Sequence, residues 1–169
     1  MQLTSTAFEP ADSIPVRYTA EGDNISPPLL WSGLPTGTVS LALLCEDPDA
    51  PERPHQDHPV VHWVLYNIDP DGMLPEGLPH EWKITDPIYC EQGLNSLGRA
   101  GYSGPHPPPG HGAHRYFFRL FALSRLLKLP ARAMKEHLLD EMQGAVLATT
   151  ELVGLYEAIS EKQPMPKSA

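Results

Sequence analysis

Twenty prolines and thirteen glycines are spread along 169 residues with no repeat unit or fixed period. Proline fixes φ and removes a backbone donor, so it ends or kinks a helix and is confined to the edge or entrance of a strand. A chain punctuated this often has little room for long helices. It is expected to fold as short strands joined by structured loops.

Three apolar runs lie between these breakers. Val39-Ser40-Leu41-Ala42-Leu43-Leu44-Cys45-Glu46 is apolar at odd and even positions alike, which predicts a central strand buried on both faces. Residues 60–68 (VVHWVLYNI) and 115–123 (RYFFRLFAL) have the same character, and the three are predicted to be neighbours in the core. Before them, residues 1–38 alternate β-like pieces, Ile14–Thr19 and Ser26–Trp31, with turns, and Trp31 is expected to anchor the core. Residues 69–113 show little apolar periodicity, with short strands expected near Ile84 and at Ile88-Tyr89-Cys90.

After Pro130 the composition changes. Residues 131–142 and 145–159 carry helical spacing, including Leu147, Glu151, Leu152 and Leu155, which predicts two helices broken at Gln143-Gly144. The length suits one domain, here residues 1–160, followed by a frayed tail over 161–169. The expected class is therefore mainly β, with C-terminal helices packed at one end.

Twelve basic side chains stand against 21 acidic ones, a net charge of -9 with no local basic patch, which argues against nucleic acid or an anionic membrane as partner. Met1–Thr6 is polar, so neither a signal peptide nor a membrane span is predicted, and a cytoplasmic location is expected. Cys45 and Cys90 are expected to be free thiols.

Two stretches carry the candidate chemistry. Asp47-Pro48-Asp49-Ala50-Pro51 closes the first apolar run, and Gly110-His111-Gly112-Ala113-His114-Arg115-Tyr116 delivers a histidine to the start of the third. Alternation along a strand puts His114 and Tyr116 on one face and Arg115 on the other, while His62 shares a face with Val60, Val64 and Tyr66. His62, His114 and Tyr116 are thus predicted to converge at one mouth, with Asp47 supplied by the end of the first strand. An aspartate with two histidines can fix a neutral tautomer, present imidazolium to an anion or coordinate a metal. The plain alternative is that each histidine satisfies a local backbone partner.

Residues 101–110, rich in Gly and Pro, are expected to form a rigid rim or an ordinary surface loop. His55-Gln56-Asp57-His58 offers metal-type ligands without a zinc spacing and is predicted to be a solvated loop. HExxH, CxxC, GxSxG and phosphate-cradling Gly-Lys-Ser/Thr motifs are absent, so no metal or cofactor is expected.

These two motifs, with Ile14-Pro15, Ser26-Pro27-Pro28-Leu29, Trp31, Gly37-Thr38, His62-Trp63, Asn95-Ser96, Gly101-Tyr102 and Gly104-Pro105, resemble the phosphatidylethanolamine-binding protein family over about residues 8–157. The similarity is to its bacterial branch of Raf-kinase-inhibitor-like proteins. It implies a two-sheet antiparallel β-sandwich with C-terminal helices and a small anion pocket. The pocket's aspartate, paired histidines and tyrosine would fall on Asp47, His62, His114 and Tyr116. Pro51 would form the rim after a cis Ala50-Pro51 bond. His106 stands where eukaryotic members carry a small residue, and it would either add a cationic donor or block the site. The resemblance does not extend to kinase inhibition, which depends on surfaces outside the pocket.

The leading expectation is a non-enzymatic ligand-binding or regulatory protein for a small anionic or zwitterionic ligand, such as a phosphoethanolamine head group. Its affinity is expected to fall above about pH 6.5 if imidazolium is the binding form. The alternatives are a hydrolase, with His62 or His114 as general base oriented by Asp47, and a pure interaction scaffold. A homodimer is compatible with the composition.

Overall fold

The computed structural model describes residues 1–51 and 59–158. Its centre is β3 (Ser40–Asp47), buried at all eight positions as its two-faced apolar sequence requires. β4 (Val60–Ile68) and β7 (His114–Leu123) flank it, so the three apolar runs are indeed neighbours. Around them lie β5 (Lys83–Ile84), β6 (Cys90–Gln92) and β8 (Val146–Tyr156). The six-stranded sheet has the order β5-β6-β4-β3-β7-β8, and every neighbouring pair is antiparallel. A second, two-stranded sheet joins β1 (Gln2–Thr4) to β2 (Leu30–Ser32). The short strands expected between residues 69 and 113 are thus β5 and β6.

Each face of the larger sheet carries its own core. On one face Leu41, Leu43, Cys45, Trp63, Leu65, Tyr116 and Phe118 pack with Leu3, Phe8, Ile14, Leu29 and Leu74. On the other, Ala42, Leu44, Val64 and Tyr66 pack with Leu138 and Met142 from and beside α1 (Lys135–Glu141). Full burial of such a side chain contributes roughly 1.5–3 kcal/mol. Trp63, fully buried, is the tryptophan that anchors the core. Trp31, expected in that role, is half-buried and packs against the same core from its edge, with its indole N–H donating to the Pro70 carbonyl at 2.8 Å. Cys45 and Cys90 are buried free thiols.

The C-terminal expectation needs correction. One predicted helix is present, shortened to α1, but the other is β8, the outermost strand beside β7. The coincidence of Leu147, Glu151 and Leu155 at helical spacing is overridden by strand pairing that runs from Leu123 opposite Val146 to His114 opposite Tyr156. Leu152, Gly154 and Tyr156 are buried in strict alternation, the period of a strand. A Cβ on Gly154 would stand 2.5 Å from the Ile14 side chain, which crosses this end of β8. Near the N-terminus, Val16–Tyr18 is a turn of 3-10 helix opened by Pro15 rather than an extended piece. The predicted tail over 161–169 and the 55–58 cluster lie outside the described residues.

Candidate functional site

Antiparallel pairing places the C-terminal end of β3 beside the N-terminal ends of both β4 and β7. Asp47, His62 and His114 stand at those three ends, so strand direction alone assembles them at one edge of the sheet. They line a cavity of about 260 Å³ together with Ala50, Pro51, Val60, Leu97, His106 and Pro108.

His62 reaches this place through a β-bulge that simple alternation does not foresee. Cys45 pairs with Trp63 but Glu46 pairs with Val61, so β4 carries one extra residue at His62. Val61, Val64 and Tyr66 belong to the core on the α1 side. His62 leaves that face and sets its ring edge-on to Tyr116, with centroids 5.1 Å apart. The predicted convergence of His62 with Tyr116 is therefore present, while its predicted sharing of a face with Val64 and Tyr66 is not.

Both imidazoles are held through Nδ1. His62 Nδ1 lies 2.6 Å from the Ser103 carbonyl oxygen. A carbonyl only accepts, so Nδ1 carries the proton. The Ser103 amide donates back to the His62 carbonyl at 2.9 Å, closing a reciprocal pair between β4 and the loop. Burial of His62 lowers its pKa, against the opposing pull of the Ser103 carbonyl and the Asp47 carboxylate. His114, 2% exposed, donates from Nδ1 to Asp47 Oδ2 at 2.8 Å. Asp47 Oδ1 accepts the Asp49 and Ala50 amides at 2.8 and 3.0 Å, so the loop after β3 is folded back onto the same carboxylate.

Tyr116 stands behind these groups and is not part of the cavity lining. Among the described residues its buried Oη completes no hydrogen bond of good geometry. Burial raises its pKa strongly and the nearby Asp47 carboxylate raises it further, so the phenol is neutral at any physiological pH. Pro51 and His106 are on the lining, with His106 exposed at the rim. Among the described residues the cis peptide bond is Asp86–Pro87, not the Ala50–Pro51 bond predicted for the rim.

The loop from Gly101 to Gly110 does form a wall, through Ser103, Gly104, His106, Pro107 and Pro108. It is pinned where the Gly104 amide donates to Asn24 Oδ1 at 2.8 Å. A Cβ on Gly104 would meet the Tyr18 carbonyl oxygen at 2.6 Å and Thr19 Cα at 2.7 Å, both backbone atoms. Only glycine permits that approach.

Several contributors were not foreseen from the sequence. Asp49 grips Arg115 with both oxygens, at 2.8 Å to Nε and 2.8 Å to Nη2, and also accepts the Arg115 amide at 2.9 Å. This hydrogen bonding holds the Asp49 carboxyl down to about 2. Charge complementarity between the two motifs, acidic in one and basic in the other, is the signal that could have pointed to it. Ser96 Oγ accepts the Val61 amide at 2.8 Å, an anchoring role. Among the described residues neither the Ser96 nor the Ser103 hydroxyl is hydrogen-bonded to an imidazole, so neither is placed as a nucleophile.

An antiparallel β protein with an aspartate and two tethered histidines facing a small cavity at three strand ends is a pocket-bearing scaffold. The chain belongs to the phosphatidylethanolamine-binding protein family, whose sequence profile matches residues 4–157. It is 47% identical over 157 residues to a UPF0098 protein of Methanothermobacter thermautotrophicus, covering 92% of this chain and 98% of that one. A UPF0098 protein of Chlamydia muridarum is 42% identical over 158 residues, covering 93% and 99%. Among solved structures, a phosphatidylethanolamine-binding protein homolog from Chlamydia trachomatis superposes with a TM-score of 0.83 at 41% identity, covering 94% of this chain and 97% of that one. YbcL of E. coli, described as a member of the mammalian family, gives 0.83 at 30% identity, covering 94% and 98%. No helix among the described residues is long and apolar enough to cross a membrane.

Proposed function

We propose that the protein is a ligand-binding or regulatory protein whose cavity takes a small anionic group, phosphate-like or carboxylate-like, with a phosphoethanolamine head group as the reference ligand. One observation carries this reading. His62 and His114 line the same cavity, each tethered through Nδ1, and neither Nε2 has a hydrogen-bond partner among the described residues. Two tethered imidazoles with free Nε2 atoms at a partly apolar cavity suit an oxyanion that brings or induces a proton there. The Asp47 carboxylate adds a site for a positive centre beside the anion, which favours a zwitterion. The name of the family, and of its homolog from Chlamydia trachomatis, is consistent with this class of ligand.

A cavity of about 260 Å³ fits a head group rather than an acyl chain. The test is side-chain NMR of the histidines during titration with O-phosphorylethanolamine near pH 6. Saturable shifts of His62 and His114, absent from His137 on α1, are expected. Unchanged resonances of both would remove the reading.

A further inference from the structure

A second cavity, of about 250 Å³, lies at the β5 end of the larger sheet and shares no lining residue with the one that holds His62 and His114. Trp82 and Lys83 line it from one segment and residues 129–132 from another, and both segments are pinned to β6 or its end. Gln92, 1% exposed, donates from its backbone amide to the Trp82 carbonyl at 2.9 Å. Its Nε2 donates to the Pro79 and Glu81 carbonyls at 2.8 and 2.7 Å, and its Oε1 accepts the Trp63 indole N–H. On the other side the Leu94 amide donates to the Ala133 carbonyl at 2.7 Å, and a Cβ on Gly93 would stand 2.5 Å from that same oxygen. Just before it, Arg132 holds a φ of 62°, uncommon for a residue with a side chain. The cleft is therefore preformed.

Its lining pairs an open ring with two cations. Trp82 is 46% exposed although the segment that carries it is fixed, and among the described residues no other ring stacks on it. Arg132 makes no ion pair or side-chain hydrogen bond among the described residues, and Lys83, which stands over the Tyr89 ring at 5.2 Å, makes no ion pair there either. The one carboxylate on the lining, Glu91, is opposite Lys83 in the strand register but is turned to other groups. Its Oε1 accepts the Tyr89 hydroxyl at 2.9 Å and Asn67 Nδ2 at 3.3 Å. Burial and then Glu91 push the Tyr66 phenol up to about 12, so that lining group is a neutral hydroxyl. Two cations thus stand against one engaged carboxylate, within a chain whose net charge is -9.

We infer that this cleft is a second ligand site, which takes a small aromatic oxyanion, an aryl carboxylate or an aryl phosphate. The ring stacks on Trp82 beside Leu129 and Pro130, and the anionic group is received by Arg132 and Lys83. An indole face suits any flat ring. A guanidinium meets either oxyanion with two parallel N–H donors.

The test follows the Trp82 indole N–H by nitrogen-15 NMR of the whole protein during titration into the millimolar range. The probes are 2-naphthoate and 2-naphthyl phosphate, with 2-naphthylmethanol as the ring alone and inorganic phosphate as the anion alone. Both naphthyl anions are expected to shift Trp82 saturably while Trp63 stays in place, and the tighter one assigns carboxylate or phosphate. The better anion is expected to bind at least about tenfold tighter than the alcohol, the worth of a charge-assisted hydrogen bond. Arg132→Gln and Lys83→Gln are expected to weaken it, the first at least about tenfold, with the His62 resonance of the free protein unmoved as the control for folding. A Trp82 resonance that neither naphthyl anion moves would overturn the inference. So would equal affinity for the alcohol, an equal response to inorganic phosphate, or unchanged affinity in Arg132→Gln. Shifts confined to His62 and His114 would place the anions in the first cavity, overturning this site and leaving that reading intact.

Discussion

Glu46 and Asp47 are consecutive in β3 and serve opposite faces of the sheet. Asp47 receives His114 at the cavity, whereas Glu46, 4% exposed, meets Lys135 Nζ at 2.6 Å and Arg119 Nη1 at 3.1 Å beneath α1. The period of two along a strand separates a site carboxylate from a scaffold carboxylate by one residue. Loss of the first is expected to disturb the pocket, and loss of the second the attachment of α1.

Lys135→Ala leaves Glu46 buried with only Arg119 as partner. An expected loss of about 2 kcal/mol in chemical denaturation follows from stripping one cation from a buried carboxylate. The histidine resonances of the cavity are expected to be unmoved, and a change there would show that the two faces communicate.

Asp47→Asn keeps an oxygen for the Asp49 and Ala50 amides but sets an amide N–H₂ against His114 Nδ1. The ring is then expected to change tautomer, with the proton moving to Nε2, which nitrogen-15 NMR of the imidazole reads directly. A stability loss of about 2 kcal/mol is expected from the lost charge-assisted bond.

Tyr116→Phe removes a buried hydroxyl that completes no hydrogen bond of good geometry among the described residues. Stability is expected to be unchanged or to rise by up to about 1 kcal/mol, since no partner is left unsatisfied. Ligand affinity is expected to hold, because the residue is off the lining, and a tenfold loss would show that the hydroxyl reaches the ligand.

Gly104→Ala drives a methyl group into the Tyr18 carbonyl and the Thr19 backbone. Backbone cannot rotate away as a side chain can, so a cost of about 2–3 kcal/mol is expected, with a weakened His62–Ser103 bond. Thermal denaturation and the His62 resonance check the two parts separately.

The pH dependence of stability has a definite sign. Burial lowers the folded-state pKa of His62 below its ordinary 6.5. As pH falls below 6.5 the unfolded chain takes up a proton before the folded one does, so His62 destabilises the fold progressively until pH passes its folded value. The slope approaches about 1.4 kcal/mol per pH unit at most. Urea denaturation of wild type and His62→Gln at pH 5 to 8 is expected to show a shallower slope for the variant in that window.

The comparison of sequence with structure divides along the range of the interactions involved. The breakers, the three apolar runs and the two motifs are local, and from them follow the mainly β class, the β4-β3-β7 centre and the candidates Asp47, His62 and His114. Alternation sufficed for His114 and Tyr116, which stand in an unbroken ladder from His114 to Ala122. It failed at His62, because a bulge is a mismatch in count between two strands and neither strand shows it alone. It was likewise pairing with β7, together with Ile14 against Gly154, that turned the predicted second helix into β8. Helical spacing and strand alternation overlap in a short apolar segment, and only the partner that buries one face decides between them. So the chain's own residues determined which groups were available to the pocket. The tertiary structure decided that Tyr116 would stand behind it and which nitrogen each histidine would present, because both depend on partners distant in sequence.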